Sequence, residues 1–443
     1  MSYLAAIDQL NAMVPELHTA DGQPRRKFSL DEIRVLLSAL GNPHRRFPAV
    51  LIAGTNGKGS TAATLASILT ASGVVTGLYT SPHLSQVNER IRVDRNEIPD
   101  ELFAAFYFKV HDTALQLVRE GRLPQMPSFF EILTAQALLY FAQKKVKIAV
   151  LEVGMGGRLD ATNVVDPLVS VVTDISLDHT EWLGSTIAEI TREKAGILRA
   201  RGTMVTLPQH PEANEVLGEV ATALRVRAVS AAPFMPSVGP GASGPYLVKV
   251  LRGMVRVDSP LAGAHQQRNL ALAIATAQEL ARLGIGVTAA GMAAGIRQTR
   301  WPGRFERLES GGANWILDVA HNPAGVWALR AGLSAVLTDE KPRTLVFGCL
   351  RDKPVAEMAQ ILFPLFEKVI IAPIASPRAA GPAELMKAAE MTGVKAVRAA
   401  SVAQALELAR DAVGDEGVIV VSGSVYLVGA ARCLLLESRR EEA

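Results

Sequence analysis

The sequence predicts an α/β fold in two parts, a larger N-terminal domain and a smaller C-terminal one. A buried strand, a glycine-rich loop and a helix follow one another over residues 49–72, which is how doubly wound domains begin. Later apolar runs end abruptly in polar residues, at 148–152 and 168–174. A second α/β series starts after residue 304. At 443 residues the chain is also too long for one ordinary core.

The first elements follow from apolar spacing and from the residues that end each run. Helical spacing predicts a helix over Asp31–Leu40, which stops at a Gly-Asn-Pro sequence. The apolar run Ala49–Ala53 predicts a buried strand. The alanine-rich stretch Lys58–Ser72 predicts a helix closed by Gly73. Further predicted elements are strands at Gly77–Tyr79, Ile148–Leu151 and Leu168–Val172 and a helix at Ile187–Leu198.

Residues 201–260 change in character, because prolines, glycines and short alternating apolar segments replace the longer runs. We expect a small β-rich appendage to the first domain there. The stretch Ala264–Leu283 predicts a helix, and Thr299–Arg304 breaks the pattern as an interdomain linker. The strands predicted beyond it are Trp315–Val319, Thr344–Phe347, Val369–Ala372 and Val418–Val421. The predicted domains are therefore residues 1–299 and 300–443.

Composition excludes several classes of protein. The net charge of +3 is small, and basic residues are spread among acidic ones, so we expect neither a nucleic acid nor a membrane as partner. Two distant cysteines, Cys349 and Cys433, make no disulfide framework and fit a reducing compartment. No secretory signal or membrane-spanning run is visible. We therefore expect a cytoplasmic protein.

The strongest local signal is the glycine-rich segment Gly54–Ser60. Its glycines allow backbone N–H groups to surround phosphate oxygens at a helix N-terminus. Lys58 would reach the β and γ phosphates, and Ser60 is a candidate for metal contact. The match to a Walker A loop is incomplete, because Ile52 occupies the position of the first glycine and Gly59 separates the lysine from the serine. The alternative is a glycine-rich turn that binds nothing.

Polar residues at strand ends predict a magnesium site. Glu152 directly follows a predicted strand, His179 follows another, and Ser81 comes after Gly77–Tyr79. Carboxylate and hydroxyl oxygens suit Mg²⁺, whereas imidazole suits it less. Each residue taken alone is more often structural, and together they favour a site. By residue type alone, Lys194 is an ordinary helix lysine exposed to solvent.

These segments resemble the folylpolyglutamate synthases and dihydrofolate synthases of the Mur ligase superfamily. The matching strings are GTNGKGS (54–60), TSPHL (80–84), NERI (88–91), FFE (129–131), EVGMGGRLDATN (152–163), LDH (177–179), EKAGI (193–197), PGRFE (302–306), LDVAHNP (317–323) and SGSVYLVG (422–429). They span most of the chain. The resemblance implies a P-loop-containing N-terminal ATPase domain of Mur ligase type and a smaller Rossmann-like α/β C-terminal domain.

The resemblance also implies roles for individual residues. ATP would be held by Gly57, Lys58, Gly59, Ser60, Asn269, Arg304 and Asp318. Two Mg²⁺ ions would be bound with the help of Ser81, Glu152, His179 and a carbamate on Lys194. The pterin pocket would be formed by Ser128, Phe129, Phe130, Glu131, Leu159, Asp160 and Ala161. His321 and Ser424 would serve the incoming glutamate, and Lys58, Lys194 and His321 would be the catalytic residues.

The implied reaction is ATP-dependent addition of L-glutamate to dihydropteroate and to folates through an acyl phosphate, by a monomeric enzyme. A folylpolyglutamate synthase without the dihydropteroate activity is the alternative within the family. Another Mur-type ligase is disfavoured, because some fifty residues before the loop leave little room for a UDP-binding domain. A non-catalytic nucleotide switch would need neither Lys194 nor the AHNP string at 320–323. A degenerate enzyme used as a scaffold would be expected to have lost site residues.

Overall fold

The computed structural model describes residues 2–13, 29–236, 244–334, 336–337, 341–414 and 417–441. The chain forms two compact units. Unit 1 comprises Met1–Ser81, Val87–Ser259 and Arg268–Thr299, and unit 2 comprises Pro82–Gln86, Pro260–Gln267 and Arg300–Ala443. The predicted ranges 1–299 and 300–443 treat each domain as continuous and stay a prediction. Two short segments from the first range belong to unit 2.

An eight-stranded sheet forms the centre of unit 1. The strands of this unit are β1 (Ala49–Ala53), β2 (Thr76–Tyr79), β3 (Ile91–Val93), β4 (Asn96–Glu97), β5 (Ile148–Glu152), β6 (Pro167–Val172), β7 (Thr203–Thr206), β8 (Arg227–Ser230), β9 (Tyr246–Val250) and β10 (Gly253–Val257). The large sheet has the order β4-β3-β2-β5-β1-β6-β7-β8. Its pairs are parallel except for those of β3 with β2 and β4. Strands β9 and β10 form a separate antiparallel pair.

The central strands are apolar throughout because both faces of the sheet are covered. All five residues of β1 are buried. Alternate side chains enter different cores, with Leu51 in one cluster and Val50 and Ile52 in the other. This is the usual origin of continuous apolar runs in parallel sheets, and it explains why the bounds of β1 could be predicted.

Helices pack on both sides of this sheet. They are α1 (Tyr3–Ala12), α2 (Asp31–Ala39), α3 (Lys58–Ala71), α4 (Asp100–Arg119), α5 (Phe129–Gln143), α6 (Thr180–Leu183), α7 (Ile187–Ala195), α8 (Pro211–Ala223), α9 (Ala264–Arg282) and α10 (Ala289–Arg297). Short 3-10 turns lie at Pro43–Arg45, Val87–Arg90, Ala161–Val164 and Ala232–Phe234. Capping boxes at Ser128 and Thr186 fix the starts of α5 and α7.

The prediction of a β-rich appendage over 201–260 is wrong in most of its length. Strands β7 and β8 extend the main sheet, in parallel with β6, and α8 lies between them in the chain. Of the described strands in this range, only β9 and β10 lie outside that sheet. Strand β8 is four residues long and largely exposed, which is why it lacks the long apolar run of a central strand.

Unit 2 is a second α/β layer structure. Its strands are β11 (Glu306–Ser310), β12 (Ala313–Leu317), β13 (Arg343–Phe347), β14 (Lys368–Ile371), β15 (Lys395–Arg398) and β16 (Val418–Ser422). Its helices are α11 (Pro323–Ser334), α12 (Val355–Leu362), α13 (Pro382–Thr392), α14 (Val402–Val413) and α15 (Val425–Glu441), with a 3-10 turn at Phe363–Leu365. The sheet order is β11-β12-β16-β13-β14-β15, parallel except for β11.

Unit 2 is completed by residues distant in sequence. A Cβ atom on Gly429 of α15 would lie 1.9 Å from the carbonyl oxygen of Leu84, so the segment Pro82–Gln86 lies directly against that helix. Leu84 also packs among the apolar side chains on one face of the unit 2 sheet. Among the described residues, no helix has both the length and the apolar composition to cross a membrane.

Candidate functional site

The glycine-rich loop follows β1, and two of its glycines have positive φ angles. Gly54 and Gly57 have φ angles of +151° and +87°, which side chains rarely adopt. The loop leads into α3, and the first N–H groups of a helix have no acceptor within it. Gly59 and Ser60 lie in that first turn. The N-terminus of α3 can therefore bind an anion.

Lys58 lies back over its own loop. Its ammonium donates to the carbonyl oxygens of Gly54 and Thr55, at 3.0 and 3.1 Å. These contacts hold a positive charge beside the N-terminus of α3, where a phosphate would bind. An incoming phosphate can replace the carbonyl oxygens as acceptor with a short movement of a flexible side chain.

Asn269 of α9, a residue of the predicted nucleotide-binding set, packs against the glycine-rich loop. A Cβ atom on Gly57 would lie 2.0 Å from the Asn269 side-chain oxygen. The backbone carbonyl of Asn269 also accepts from the Thr61 hydroxyl at 3.4 Å. The absence of a side chain at position 57 thus allows a buried amide to approach the phosphate loop.

Ser81 and Glu152 are brought together at the carboxyl edge of the sheet. Strands β2 and β5 pair in parallel, with Tyr79 opposite Leu151, so the residues that follow the two strands are neighbours. The Ser81 backbone N–H donates to Glu152 Oε2 at 3.0 Å. Glu152 is buried, and a buried carboxylate is costly unless it is paired, hydrogen-bonded or bound to a metal.

Lys194 of α7 is buried beside the same loop. Its ammonium donates to the Gly54 carbonyl at 2.8 Å, so Lys58 and Lys194 share one acceptor. Burial and, to a smaller extent, the nearby charge of Lys58 lower the pKa of Lys194, Asp178 and Asp160 oppose the shift, and the net result is a pKa of about 7. The interpretation of Lys194 as a solvent-exposed lysine is wrong.

His179 lies on the loop after β6, at the start of α6. Its φ angle is +50°, and its backbone N–H donates to Asp178 Oδ1 at 3.0 Å. Ser81, Glu152 and His179 offer a hydroxyl oxygen, a carboxylate oxygen and an imidazole nitrogen; the two oxygens suit Mg²⁺. In the part of the chain that the structure describes, no three His, Cys, Asp or Glu side chains form a metal-binding group. The predicted set contains only two residues of those types.

Four residues of the predicted pterin pocket lie at the start of α5, and two of them also cap that helix. Ser128 Oγ accepts from the Glu131 N–H at 3.2 Å, and Glu131 Oε2 accepts from the Ser128 N–H at 2.8 Å. The Phe130 ring is buried in the core, and its centroid lies 5.8 Å from that of the Tyr79 ring. The half-buried Phe129 has the Arg90 guanidinium 5.1 Å from its ring centroid. Phe129 is therefore the better placed ring for stacking on a ligand.

Leu159, Asp160 and Ala161 form the other predicted wall of that pocket. Asp160 Oδ1 accepts from the Thr162 N–H at 3.0 Å, and Oδ2 accepts from the Met155 N–H at 2.9 Å. Burial raises the pKa of Asp160, and these hydrogen bonds oppose the shift. Asp160 thus shapes the loop between β5 and β6, and Ala161 is buried at its end.

In unit 2, Asp318 anchors the segment that carries Arg304. Its two oxygens accept from the Phe305 and Ala320 N–H groups, at 2.8 and 2.9 Å. Burial raises the pKa of Asp318, while the charges of His265 and Arg304 act in the opposite direction. Phe305 has a φ angle of +49°, an unusual conformation for a bulky residue. Asp318 therefore holds a strained segment in place.

We expect Asp318→Asn to lower the free energy of unfolding by about 1–3 kcal/mol, because an amide can accept from only one of the two N–H donors through its single oxygen. Urea denaturation would measure the change. Asp411→Asn, at an exposed position of α14, is the matched control. Equal losses in the two variants would contradict the anchoring role.

His321 and Ser424 follow the neighbouring strands β12 and β16. Their loops are adjacent, because the Gly423 N–H donates to the Ala320 carbonyl at 3.1 Å. His321 Nδ1 lies 2.9 Å from the Val319 carbonyl, which can only accept, so Nδ1 carries a proton and, in the neutral ring, Nε2 has the lone pair. Ser424 Oγ accepts from the Leu427 N–H at 3.1 Å, and its own hydroxyl hydrogen can still donate.

Sequence reasoning assigned no role to Arg90, although it lies in the quoted NERI string. The structure buries this arginine against Phe129. The sequence signal for Arg90 was weak: it is a charged residue directly before the short strand β3. Its planar cation suits both an aromatic ring and a carboxylate.

Two family models match the chain. The Mur ligase middle domain matches residues 52–277, and the glutamate ligase domain of Mur ligases matches residues 303–425. These matches cover the phosphate loop, Lys194 and Asn269 in the first case, and Arg304 and His321 in the second.

Curated relatives match across most of the chain. A dihydrofolate synthase/folylpolyglutamate synthase of Mycobacterium tuberculosis is 37% identical over 469 residues, covering 96% of this chain and 94% of that protein. A probable bifunctional folylpolyglutamate synthase/dihydropteroate synthase of Haloferax volcanii is 37% identical over 416 residues. That alignment covers 92% of this chain and 48% of the relative, so the chain spans about half the length of that protein.

A solved structure extends the likeness to three dimensions. Escherichia coli FolC, in complex with DHPP and ADP, superposes with a TM-score of 0.83 at 30% identity, covering 99% of each chain. The predicted α/β fold class, with a P-loop N-terminal domain and a smaller C-terminal α/β domain, is confirmed.

Proposed function

The chain belongs to the dihydrofolate synthase/folylpolyglutamate synthase family of ATP-dependent Mur-type ligases, and we propose that it adds L-glutamate both to dihydropteroate and to folates. The observation that carries this proposal is the arrangement at the carboxyl edge of the unit 1 sheet. There Lys58 and the buried Lys194 donate to the same Gly54 carbonyl of the glycine-rich loop. The buried Glu152, at the end of the neighbouring strand β5, accepts from the Ser81 N–H. The complex of FolC with DHPP and ADP supports a nucleotide and a second ligand on this fold.

The first step is activation of the acceptor carboxylate. A carboxylate is a poor electrophile, and transfer of the γ-phosphoryl group of ATP converts it to an acyl phosphate with ADP as product. Such transfer depends on positioning and on charge neutralisation. We assign the nucleotide contacts to the residues of the predicted set, which are Gly57, Lys58, Gly59, Ser60, Asn269, Arg304 and Asp318.

The second step is attack of the glutamate amine on the acyl carbon, which expels phosphate. The amine must first lose a proton. In its neutral form His321 would accept this proton at Nε2, because Nδ1 donates to the Val319 carbonyl. Ser424, with a free hydroxyl hydrogen, would orient the glutamate. The acceptor's pterin ring would lie between Phe129 and the loop of Leu159 to Ala161.

We assign the Mg²⁺ site to Ser81, Glu152 and His179, whose donor atoms fit the ion through one buried carboxylate and one hydroxyl. When bound, Mg²⁺ supplies the charge that offsets the triphosphate. The chain's own part is to hold these donors in place, and the Ser81 N–H does so for Glu152.

We further propose that Lys194 is carbamylated and contributes to a second Mg²⁺ site. Carbamate formation requires the neutral amine, and an ordinary lysine would present it in only about one molecule in three thousand at pH 7. A pKa of about 7 removes most of that barrier. The carbon-13 NMR spectrum of protein in ¹³C-bicarbonate should show a carbamate signal that is missing from Lys194→Met.

The protein is also proposed to act as a cytoplasmic monomer with small-molecule partners and no nucleic acid or membrane partner. Cys349 and Cys433 are both unpaired, which fits a reducing compartment. The net charge of +3 is small for a chain of 443 residues, which gives little general attraction for nucleic acid.

The test is ADP release in two reactions that contain Mg²⁺, ATP, bicarbonate and glutamate. One receives dihydropteroate and the other a reduced folate, and omission of glutamate is the control for uncoupled hydrolysis. We expect glutamate-dependent release in both. Release with the folate alone would reduce the assignment to folylpolyglutamate synthase. Release with neither would overturn the proposal.

A further inference from the structure

The segment 174–176, which follows β6, is hydrogen-bonded to residues 55 and 56 of the glycine-rich phosphate loop. The Asp174 carbonyl accepts from the Thr55 and Asn56 N–H groups, at 2.8 and 3.2 Å. The Thr55 hydroxyl donates to the Ser176 carbonyl at 3.0 Å and accepts from the Ser176 N–H at 3.1 Å. The conformation of the loop therefore depends on where the backbone of residue 174 lies.

An arginine from α9 fixes that position. Arg268 Nε and a terminal nitrogen donate to both Asp174 oxygens, at 2.5–3.1 Å. The same terminal nitrogen donates to the Pro208 carbonyl at 2.9 Å. The two side chains are 29% and 36% exposed, so the pair is partly shielded from solvent. A forked, charge-assisted contact of this kind constrains orientation as well as distance.

The next residue of α9 contacts the other side of the loop. The Asn269 amide packs on Gly57. Arg268 binds the Asp174 side chain, and the Asp174 carbonyl accepts from the N–H groups of Thr55 and Asn56. One helix therefore positions the phosphate loop at two points. A shift of Asp174 would change the approach of the loop to Asn269.

We infer that Arg268 and Asp174 are positioning residues that set nucleotide affinity by fixing the phosphate loop, without touching the nucleotide or the reacting atoms. The inference deepens the proposed function and rests on it for the identity of the nucleotide. It places the effect of the pair on ATP and ADP binding, not on glutamate binding.

The experiment compares Arg268→Gln, Asp174→Asn and the double variant with the parent protein. ADP binding is measured by titration calorimetry, and KM values for ATP and glutamate by ADP release.

We expect each single variant to weaken ADP binding about tenfold and to raise the KM for ATP equally. The double variant should be no worse than either single one, because both disrupt the same contact. The kcat at saturating ATP and the KM for glutamate should stay within about twofold of the parent values. Arg268→Lys should restore part of the affinity, since an ammonium can keep the charge but not the fork.

Arg227→Gln is the matched control, because it breaks an ion pair with Glu279 at the other end of α9. Its melting temperature should fall without a change in ADP affinity. Unchanged ADP binding in Arg268→Gln and Asp174→Asn would overturn the inference. So would an equal loss of ADP affinity in Arg227→Gln, which would mean that any weakening of the fold has this effect. If the parent protein binds ADP but ligates no glutamate, the proposed function fails while the positioning result stands.

Discussion

Replacing Lys194 with methionine is expected to lower kcat by about 10²–10³-fold and, at the same time, to stabilise the fold at neutral and acidic pH. We expect the activity to fall because the carbamate proposed for Lys194 could no longer form. The stability rises because a buried ammonium is costly, and methionine fills a similar volume without the charge. The lost hydrogen bond to Gly54 reduces the gain.

The pH dependence separates these two effects. The pKa of Lys194 is lowered to about 7 in the folded chain from the ordinary lysine value of 10.5, so the unfolded state binds more protons between these pH values. The parent protein should therefore gain stability as the pH rises from about 7 to 10.5. The advantage of Lys194→Met should be greatest below pH 7 and shrink across that window.

Urea denaturation in CO₂-free buffer would measure this difference at several pH values. Lys109→Met, at an exposed position of α4, controls for the general effect of the substitution. A stability difference that did not change between pH 7 and 10 would contradict the lowered pKa. Full activity in Lys194→Met would contradict the role of the carbamate.

Gly57→Ala is expected to reduce kcat/KM for ATP by about 100-fold. The added Cβ would lie 2.0 Å from the Asn269 oxygen, so the amide must move away from the position proposed for nucleotide contact. The φ angle of +87° adds backbone strain of order 1 kcal/mol. Steady-state kinetics with varied ATP would measure the loss.

Gly73→Ala separates the two causes. Gly73 follows the other end of α3 with a similar φ angle of +82°, and a Cβ there meets nothing within 4 Å. The strain should be comparable, but kcat/KM should be preserved. Similar losses of kcat/KM in both variants would show that the contact of Gly57 with Asn269 is not the cause of the loss.

The central strands could be predicted because burial on two faces leaves a continuous apolar run. Strand β1 has the predicted bounds, and α3 ends one residue early, at Ala71. Helix α7 ends at Ala195 rather than Leu198, because Gly196 forms its C-terminal cap while Ile197 and Leu198 stay buried beyond it. Apolar spacing alone does not distinguish a buried helix from a buried loop.

Less of the site could be predicted from residue patterns alone. The contact of Ser81 with Glu152 joins residues 71 positions apart, and it depends on the pairing of β2 with β5, which spacing along the chain does not reveal. The Ser-x-x-Glu pattern at 128–131 was a readable capping signature, and it had been assigned only to the pterin pocket. The burial of Lys194 had no signal in residue type.

The composition of unit 2 has a consequence for biosynthesis. The segment Pro82–Gln86, which lies against α15, leaves the ribosome more than two hundred residues before the strand β11 that opens the main part of the unit. Contacts between such distant residues form slowly. A fragment starting at residue 300 would lack both earlier segments and leave the Gly429 face of α15 uncovered. Unit 2 should thus complete its folding last during synthesis. Expression of the fragment 300–443 alone should give an aggregation-prone product.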